Sequence, residues 1–237
     1  MSQVTTLKVA EHRSRWKLDK RLLAGLFWRR WSHKAEAANW GARYKSWLGK
    51  HSASIYPNRF SLYRAVRPAT FRDGHVTLLE FGVADGDSLR EWAKINDHPE
   101  SRFYGFDSWQ GLPPDDPPYD DGAFDLAEMP AISDSRIHLR PGWFHETLPP
   151  WMTSNHMAGT AIVHIDCDGY RSTLYVLTKL NDRLGKGDVI VFDELSCAQH
   201  EFRALIDWAG AYQRTYDVLG CFRSGRRIEG AAIRLKE

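Results

Sequence analysis

Two spacings of apolar residues divide the chain. Between residues 11 and 50, Trp16, Leu23, Phe27 and Trp31 recur at helical intervals among Lys17, Lys20, Arg21, Arg30 and Lys34, which predicts a basic amphipathic helix. Gly25 and Gly41 interrupt it. Residues 51–72 contain Pro57 and Pro68 and read as a crossing onto the main body. From residue 75 onward, short β-rich apolar runs alternate with glycine turns and helical stretches. Strands are predicted at 75–81, 102–106, 136–139, 161–165, 188–192, 216–219 and 231–235, and helices at 88–96, 173–184 and 201–212. Residues 111–135 form a loop with Pro113, Pro114, Pro117 and Pro118. Alternating β and α segments imply an α/β fold built on a doubly wound, mostly parallel seven-stranded sheet, with its functional residues at the carboxyl ends of the strands. The expected organisation is a helical N-terminal arm over residues 1–70 and a main domain over 71–237.

Charge sharpens that division. Residues 1–72 carry 16 Lys and Arg against 3 Asp and Glu, whereas residues 73–237 carry 16 against 27. A basic arm of this kind suits packing on its own acidic body or on a partner subunit in a homo-oligomer. It also suits an anionic substrate, a peripheral membrane contact or a nucleic acid. No apolar run reaches the ~20 residues that a bilayer span needs, and Leu22–Trp28 is too short for a secretory signal. Cys167, Cys197 and Cys221 are few, odd in number and not spaced as metal ligands. A cytoplasmic, reducing location with free thiols is expected.

The first candidate chemistry lies in Glu80-Phe-Gly82-Val83-Ala-Asp85-Gly86-Asp87-Ser88, after a strand and before a helix. Glycines there permit a tight turn and close approach of backbone to a ligand. Asp107 and Ser108 end the next predicted strand, where a carboxylate can take both hydroxyls of a ribose. The pair points to an adenosine-type cofactor. The turn is not Gly-x-Gly-x-x-Gly, and Glu80 before it would repel a pyrophosphate but not a sulfonium ligand bearing an ammonium group. Arg140-Pro-Gly142-Trp143-Phe144 follows the third strand, and Trp143 or Phe144 is placed to stack on adenine or to join the core.

The second is His164-Ile-Asp166-Cys-Asp168-Gly-Tyr170 after the fourth strand, with Asp193-Glu194 after the fifth. Adjacent strands lie about 4.8 Å apart, so these carboxylates meet beside the cofactor, and crowded carboxylates call for a cation. Hard oxygen ligands suit Mg²⁺, Ca²⁺ or Mn²⁺. Asp166, Asp193 and Glu194 are the expected ligands, and Asp168 is then free to act as a general base. His164 reads as a packed supporting residue, and His145 and His200 as further polar candidates. The residues expected around the cofactor are Glu80, Gly82, Val83, Gly86, Ser88, Asp107, Ser108, Trp143 and Asp166.

LEFGVADGDSL (79–89), YGFDSWQGLP (104–113), LRPGWFHETLP (139–149), HIDCDGYRST (164–173) and VIVFDEL (189–195) occur in an order that resembles the S-adenosylmethionine-dependent O-methyltransferases related to macrocin O-methyltransferase. The resemblance covers about residues 75–200. It implies the class I methyltransferase fold, S-adenosylmethionine as methyl donor, and a hydroxyl of a sugar or glycosylated natural product as acceptor. It also implies Mg²⁺ held by Asp166 and the acidic pair Asp193-Glu194, and Asp168 as base. Glu194 stands where relatives tend to have Asp. Gly169 stands where a larger residue is common, which implies a changed acceptor pocket. The basic arm then serves as lid, dimer contact or acceptor selector. Two rival classes remain on the residues alone: a nicotinamide (NAD)-dependent oxidoreductase, and a non-catalytic module that binds S-adenosylmethionine or a nucleotide. A nucleic-acid acceptor is disfavoured, because Asp166-Cys-Asp-Gly169 stands where amino-methylating enzymes carry an aromatic-proline motif.

Overall fold

The computed structural model describes residues 32–51, 53–70, 74–113 and 128–237. The chain divides into two compact units, 1–43 and 44–237. The expected 70/71 boundary lies inside the second unit. In the first unit the described residues, 32–43, are helical, and the Arg43 guanidinium lies 4.0 Å above the Trp40 ring. The aromatic stripe expected from Trp16 to Trp31 lies outside the described residues.

The second unit opens with helical residues 44–50 (α1). Tyr44 donates to the Ile228 carbonyl at 3.0 Å and sets its ring edge-on against Phe202, which ties this helix to the domain. Residues 51–72, read as a crossing onto the main body, contain a two-residue strand, β1 (Ile55–Tyr56), and a helix, α2 (Arg59–Thr70). Pro57 precedes that helix, and Pro68 falls in its last turn. Asn58 starts it, its Oδ1 accepting the Ser61 N–H at 2.9 Å and the Ser61 hydroxyl at 3.0 Å.

The strands that follow are β2 (Val76–Phe81), β3 (Arg102–Asp107), β4 (Ile137–Pro141), β5 (Thr160–Ile165), β6 (Val189–Phe192), β7 (Tyr216–Ser224) and β8 (Arg227–Leu235). They form one sheet in the order β1-β7-β8-β6-β5-β2-β3-β4. The seven expected strands are present, and β1 pairs in parallel with β7 as an eighth at the edge. β4, β3, β2, β5 and β6 run parallel, whereas β8 is antiparallel to both β6 and β7. The order reverses between β2 and β5, the point at which open α/β sheets place their ligands.

The helices between strands are α3 (Asp87–Ile95), α4 (Phe144–Ser154), α5 (Tyr170–Leu180) and α6 (Glu201–Ala211). α4 escaped the sequence reading because Pro149 and Pro150 lie inside it, and paired prolines read as helix breakers. The central strands are covered on both faces: every residue of β2 and β6 is buried. That explains their continuous apolar runs. It also makes Glu80, a carboxylate inside β2 with no exposed surface, an expensive residue unless partnered. No helix among the described residues is long and apolar enough to cross a membrane.

Candidate active site

Past the last paired residues, the parallel ladder continues across the strand tips. Gly82 N–H donates to the Phe106 carbonyl at 3.0 Å, Asp166 N–H to Phe81 at 2.9 Å, and Asp193 N–H to Ile165 at 3.0 Å. Both sequence constellations therefore sit on one edge, beside a cavity of about 860 Å³. Gly82, Ala84, Asp107, Ser108, Trp143, Asp166, Asp168 and Glu194 line it, together with Trp109, Leu112, Pro113, Phe144, His145, Arg171 and Tyr175. Gly82 has φ +89, and a Cβ there would collide with the Asp166 carbonyl oxygen. Only glycine lets the turn and the acidic segment approach this closely.

Asp107 has a role the sequence did not reveal. Its Oδ2 accepts the N–H groups of Val83 at 2.8 Å and Ala84 at 3.0 Å, and its Oδ1 accepts that of Trp109 at 2.8 Å. The Trp109 indole N–H then donates to the Ala84 carbonyl at 3.1 Å. One carboxylate thus folds two loops around the mouth of the cavity. Among the described residues four non-glycines have positive φ, and three of them line the cavity: Ala84 (47), Trp109 (52) and Asp168 (57). Such backbone strain gathers at functional sites.

Four of the expected cofactor residues lie elsewhere. Val83 is buried, and Gly86 packs against Ile132 and Pro130 as it starts α3. Glu80 and Ser88 face each other inside the domain rather than the cavity. Glu80 accepts the Ser88 hydroxyl at 3.0 Å on Oε1 and pairs through Oε2 with His164 Nδ1 at 3.0 Å. His164 Nε2 lies 3.0 Å from the Tyr63 hydroxyl, which donates to Asp193 Oδ1 at 3.2 Å. Burial alone would lower the His164 pKa, but the Asp193 and Glu80 carboxylates push it up to about 10. A cationic imidazole donates from both nitrogens, so the relay runs from His164 to Glu80 on one side and through Tyr63 to Asp193 on the other.

The acidic cluster is closed by Arg59, at the first position of α2. Its Nη1 lies 2.9 Å from Asp193 Oδ2 and 3.4 Å from Asp166 Oδ2. Ligand atoms of His164, Asp166 and Asp193 lie within 4.8 Å of one another. Burial opposes ionisation of Asp193, yet His164 and Arg59 hold its carboxyl below the usual range. Desolvation, then the charge of Asp193, push the Asp166 carboxyl well up. Two carboxylates at adjacent strand tips fit a hard divalent ion, whereas both His164 nitrogens are already engaged. Glu194 is outside this group: it lines the cavity, and its Oε2 accepts the Cys197 thiol at 3.4 Å. Its backbone N–H donates at 2.9 Å to Glu201, a fully buried carboxyl that burial pushes well above the usual range.

Asp168 is held in its left-handed conformation from both sides. His200 Nδ1–H donates to its carbonyl at 2.7 Å, and Gly169 N–H to the Cys167 carbonyl at 2.6 Å. An aspartate tolerates that conformation better than most residues. Arg59, Tyr63, Trp109, Arg171 and Tyr175 were absent from the sequence reading. Arg59 and Tyr63 were findable: Asn58 as a cap, with residues i and i+4 after it, puts both on one helix face.

Residues 128–218 match the family model described as Macrocin-O-methyltransferase (TylF). An 81-residue stretch is 31% identical to the 8-demethyl-8-(2,3-dimethoxy-alpha-L-rhamnosyl)-tetracenomycin-C 4'-O-methyltransferase of Streptomyces olivaceus, spanning 32% of this chain and 30% of that protein. The structure of the O-methyltransferase NovP superposes with a TM-score of 0.60 at 19% identity, over 76% of this chain and 80% of that one. The structure titled cmcI-D160 Mg-SAM gives 0.51 at 16% identity, over 76% and 72%. The chain thus has the class I methyltransferase fold and, over residues 128–218, resembles the macrocin O-methyltransferase family.

Proposed function

We propose that the chain is an S-adenosylmethionine-dependent O-methyltransferase that methylates a hydroxyl of a sugar or glycosylated natural product with the help of a divalent metal, Mg²⁺ by preference. One observation carries the reading: a single cavity of about 860 Å³ is lined at once by the glycine turn, by Asp107 and Ser108, and by Asp166 and Asp168. Its volume suits a cofactor together with part of an acceptor. The aromatic and apolar faces of Trp109, Leu112, Pro113, Trp143 and Tyr175 suit adenine and the faces of a sugar ring. The tetracenomycin relative, a rhamnosyl 4'-O-methyltransferase by its name, supports the acceptor class. The neighbour titled Mg-SAM supports the cofactor and metal.

When bound, S-adenosylmethionine supplies an electrophilic methyl carbon, and a divalent metal lowers the pKa of a hydroxyl and orients it. The chain's own residues do the rest. Gly82 and Ala84 let the donor lie against backbone, and the Asp107-bound loops fix the mouth of the cavity. Asp166 and Asp193 would hold the metal. Asp168, displayed into the cavity by its constrained turn, takes the hydroxyl proton. Calorimetric titration with S-adenosylmethionine, S-adenosylhomocysteine and NAD⁺ tests the donor. The first two are expected to bind and NAD⁺ is not, and the reverse pattern would overturn the reading. Methyl transfer from labelled donor to rhamnosylated polyketides, with Mg²⁺ and with EDTA, tests the acceptor and metal.

A further inference from the structure

Arg59 touches both carboxylates to which the metal is assigned. Its Nη1 reaches Asp193 Oδ2 at 2.9 Å and Asp166 Oδ2 at 3.4 Å. The remaining Asp193 oxygen accepts the Tyr63 hydroxyl, which comes from the next turn of the same helix. No other Lys or Arg among the described residues pairs with either aspartate. The guanidinium stem is not locked in the core: the Arg59 side chain is 35% exposed and lies 5.3 Å from the Phe60 ring.

We propose that Arg59 is a resident counter-cation that competes with the divalent metal for Asp166 and Asp193, so that metal entry requires the guanidinium to swing out from the start of α2. This inference rests on the assignment of those two aspartates as metal ligands. The physical case is electrostatic. Without a cation, two carboxylates whose oxygens lie within 4.8 Å of each other repel strongly in a partly desolvated site. A guanidinium relieves that repulsion with charge-assisted hydrogen bonds. A divalent ion relieves it more fully, and a guanidinium held on the same oxygens opposes its entry, because the two cations repel at contact distance. α2 thereby becomes the element that reads metal occupancy: its first turn carries Arg59 and its second carries Tyr63, the link to the His164–Glu80 pair.

The test measures metal binding, not turnover. Mn²⁺ is titrated by electron paramagnetic resonance into wild type, Arg59→Met, Arg59→Gln and Arg59→Lys, without methyl donor, with Asp193→Asn as the control for site occupancy. Removing the positive charge is expected to tighten Mn²⁺ binding at least about tenfold, given unit charges near 4 Å in a partly shielded site. Arg59→Lys is expected to stay close to wild type. A merely structural arginine would weaken binding when lost, so unchanged or weaker affinity in both neutral variants overturns the proposal while leaving the metal assignment standing. Failure of Mn²⁺ to bind at Asp193 in any variant overturns both, with the donor titration still judging the methyltransferase reading separately. If neither neutral variant folds, hydrogen exchange on wild type decides. Mn²⁺ is expected to speed exchange in the first turn of α2, and unchanged exchange overturns the proposal.

Discussion

Glu80 and His164 face each other in register across β2 and β5, Oε2 to Nδ1 at 3.0 Å, with no exposed surface on either. An ion pair this deep adds little net stability as a pair but carries a large cost when halved. Glu80→Ala is therefore expected to destabilise the domain by about 3–5 kcal/mol, measured by chemical denaturation. Glu80→Gln should cost less, because an amide oxygen still accepts from Nδ1–H. Equal losses in the two variants would show that the charge, and not the hydrogen bond that Gln retains, holds the pair.

The same pair sets a pH dependence. The folded pKa of His164 is raised to about 10 from an ordinary 6.5, so the folded state binds the proton more tightly than the unfolded chain. The stability that this contributes is fully present below pH 6.5 and is lost as pH rises through about 10. Denaturation curves from pH 6 to pH 10 are expected to fall in wild type and to fall less steeply in Glu80→Gln. Nitrogen NMR should find the imidazole still cationic at pH 8. A titration near the ordinary histidine value would remove the relay described above.

Asp168→Asn is expected to keep S-adenosylmethionine affinity while losing roughly 10²–10⁴-fold in kcat, the usual worth of general-base help. Its amide also preserves an aspartate-like preference for the left-handed backbone. Wild-type turnover in Asp168→Asn would rule out the proton-accepting role.

Asp107→Ala leaves the N–H groups of Val83, Ala84 and Trp109 without their acceptor. Each unsatisfied donor costs about 1–3 kcal/mol when shielded from water. Both stability and donor affinity should fall together, read by thermal denaturation and calorimetry on one preparation. Loss of affinity with unchanged stability would instead mean that Asp107 serves the ligand and not the loops.

Gly82→Ala sets a Cβ against the Asp166 carbonyl at φ +89 and is expected to cost at least about 3 kcal/mol and to abolish donor binding. Gly210, inside α6 with nothing within 4 Å of a built Cβ, is the contrast. Gly210→Ala should raise stability by roughly 0.5–1 kcal/mol without touching ligand affinity. Denaturation of the two variants side by side checks both.

Much of this was legible in the chain, because parallel strands buried on both faces have few ways to be written. The continuous runs of β2, β5 and β6, with Gly82 directly after the first and Asp166 and Asp193 directly after the other two, mark the strand tips. Glu80 was misplaced because a carboxylate beside a glycine turn reads as ligand-facing, whereas the pleat turns it inward to His164 on a neighbouring strand 84 residues away. That pairing depends on strand order, which local spacing does not encode. Asp107 was seen as a ligand group because its three backbone donors come from loops whose path is set only in the folded sheet. Arg59 escaped for a different reason: it lies in a segment punctuated by prolines, where the pattern said only that the chain passes through.

The backbone bonds that chain Gly82 to Phe106, Asp166 to Phe81 and Asp193 to Ile165 have an evolutionary reading. They hold this edge of the sheet together independently of how the polypeptide travels between strands. Crossovers can lengthen, shorten or acquire new surfaces while the strand tips stay in register. A scaffold of this kind lets the outer surface change without disturbing the edge that lines the cavity.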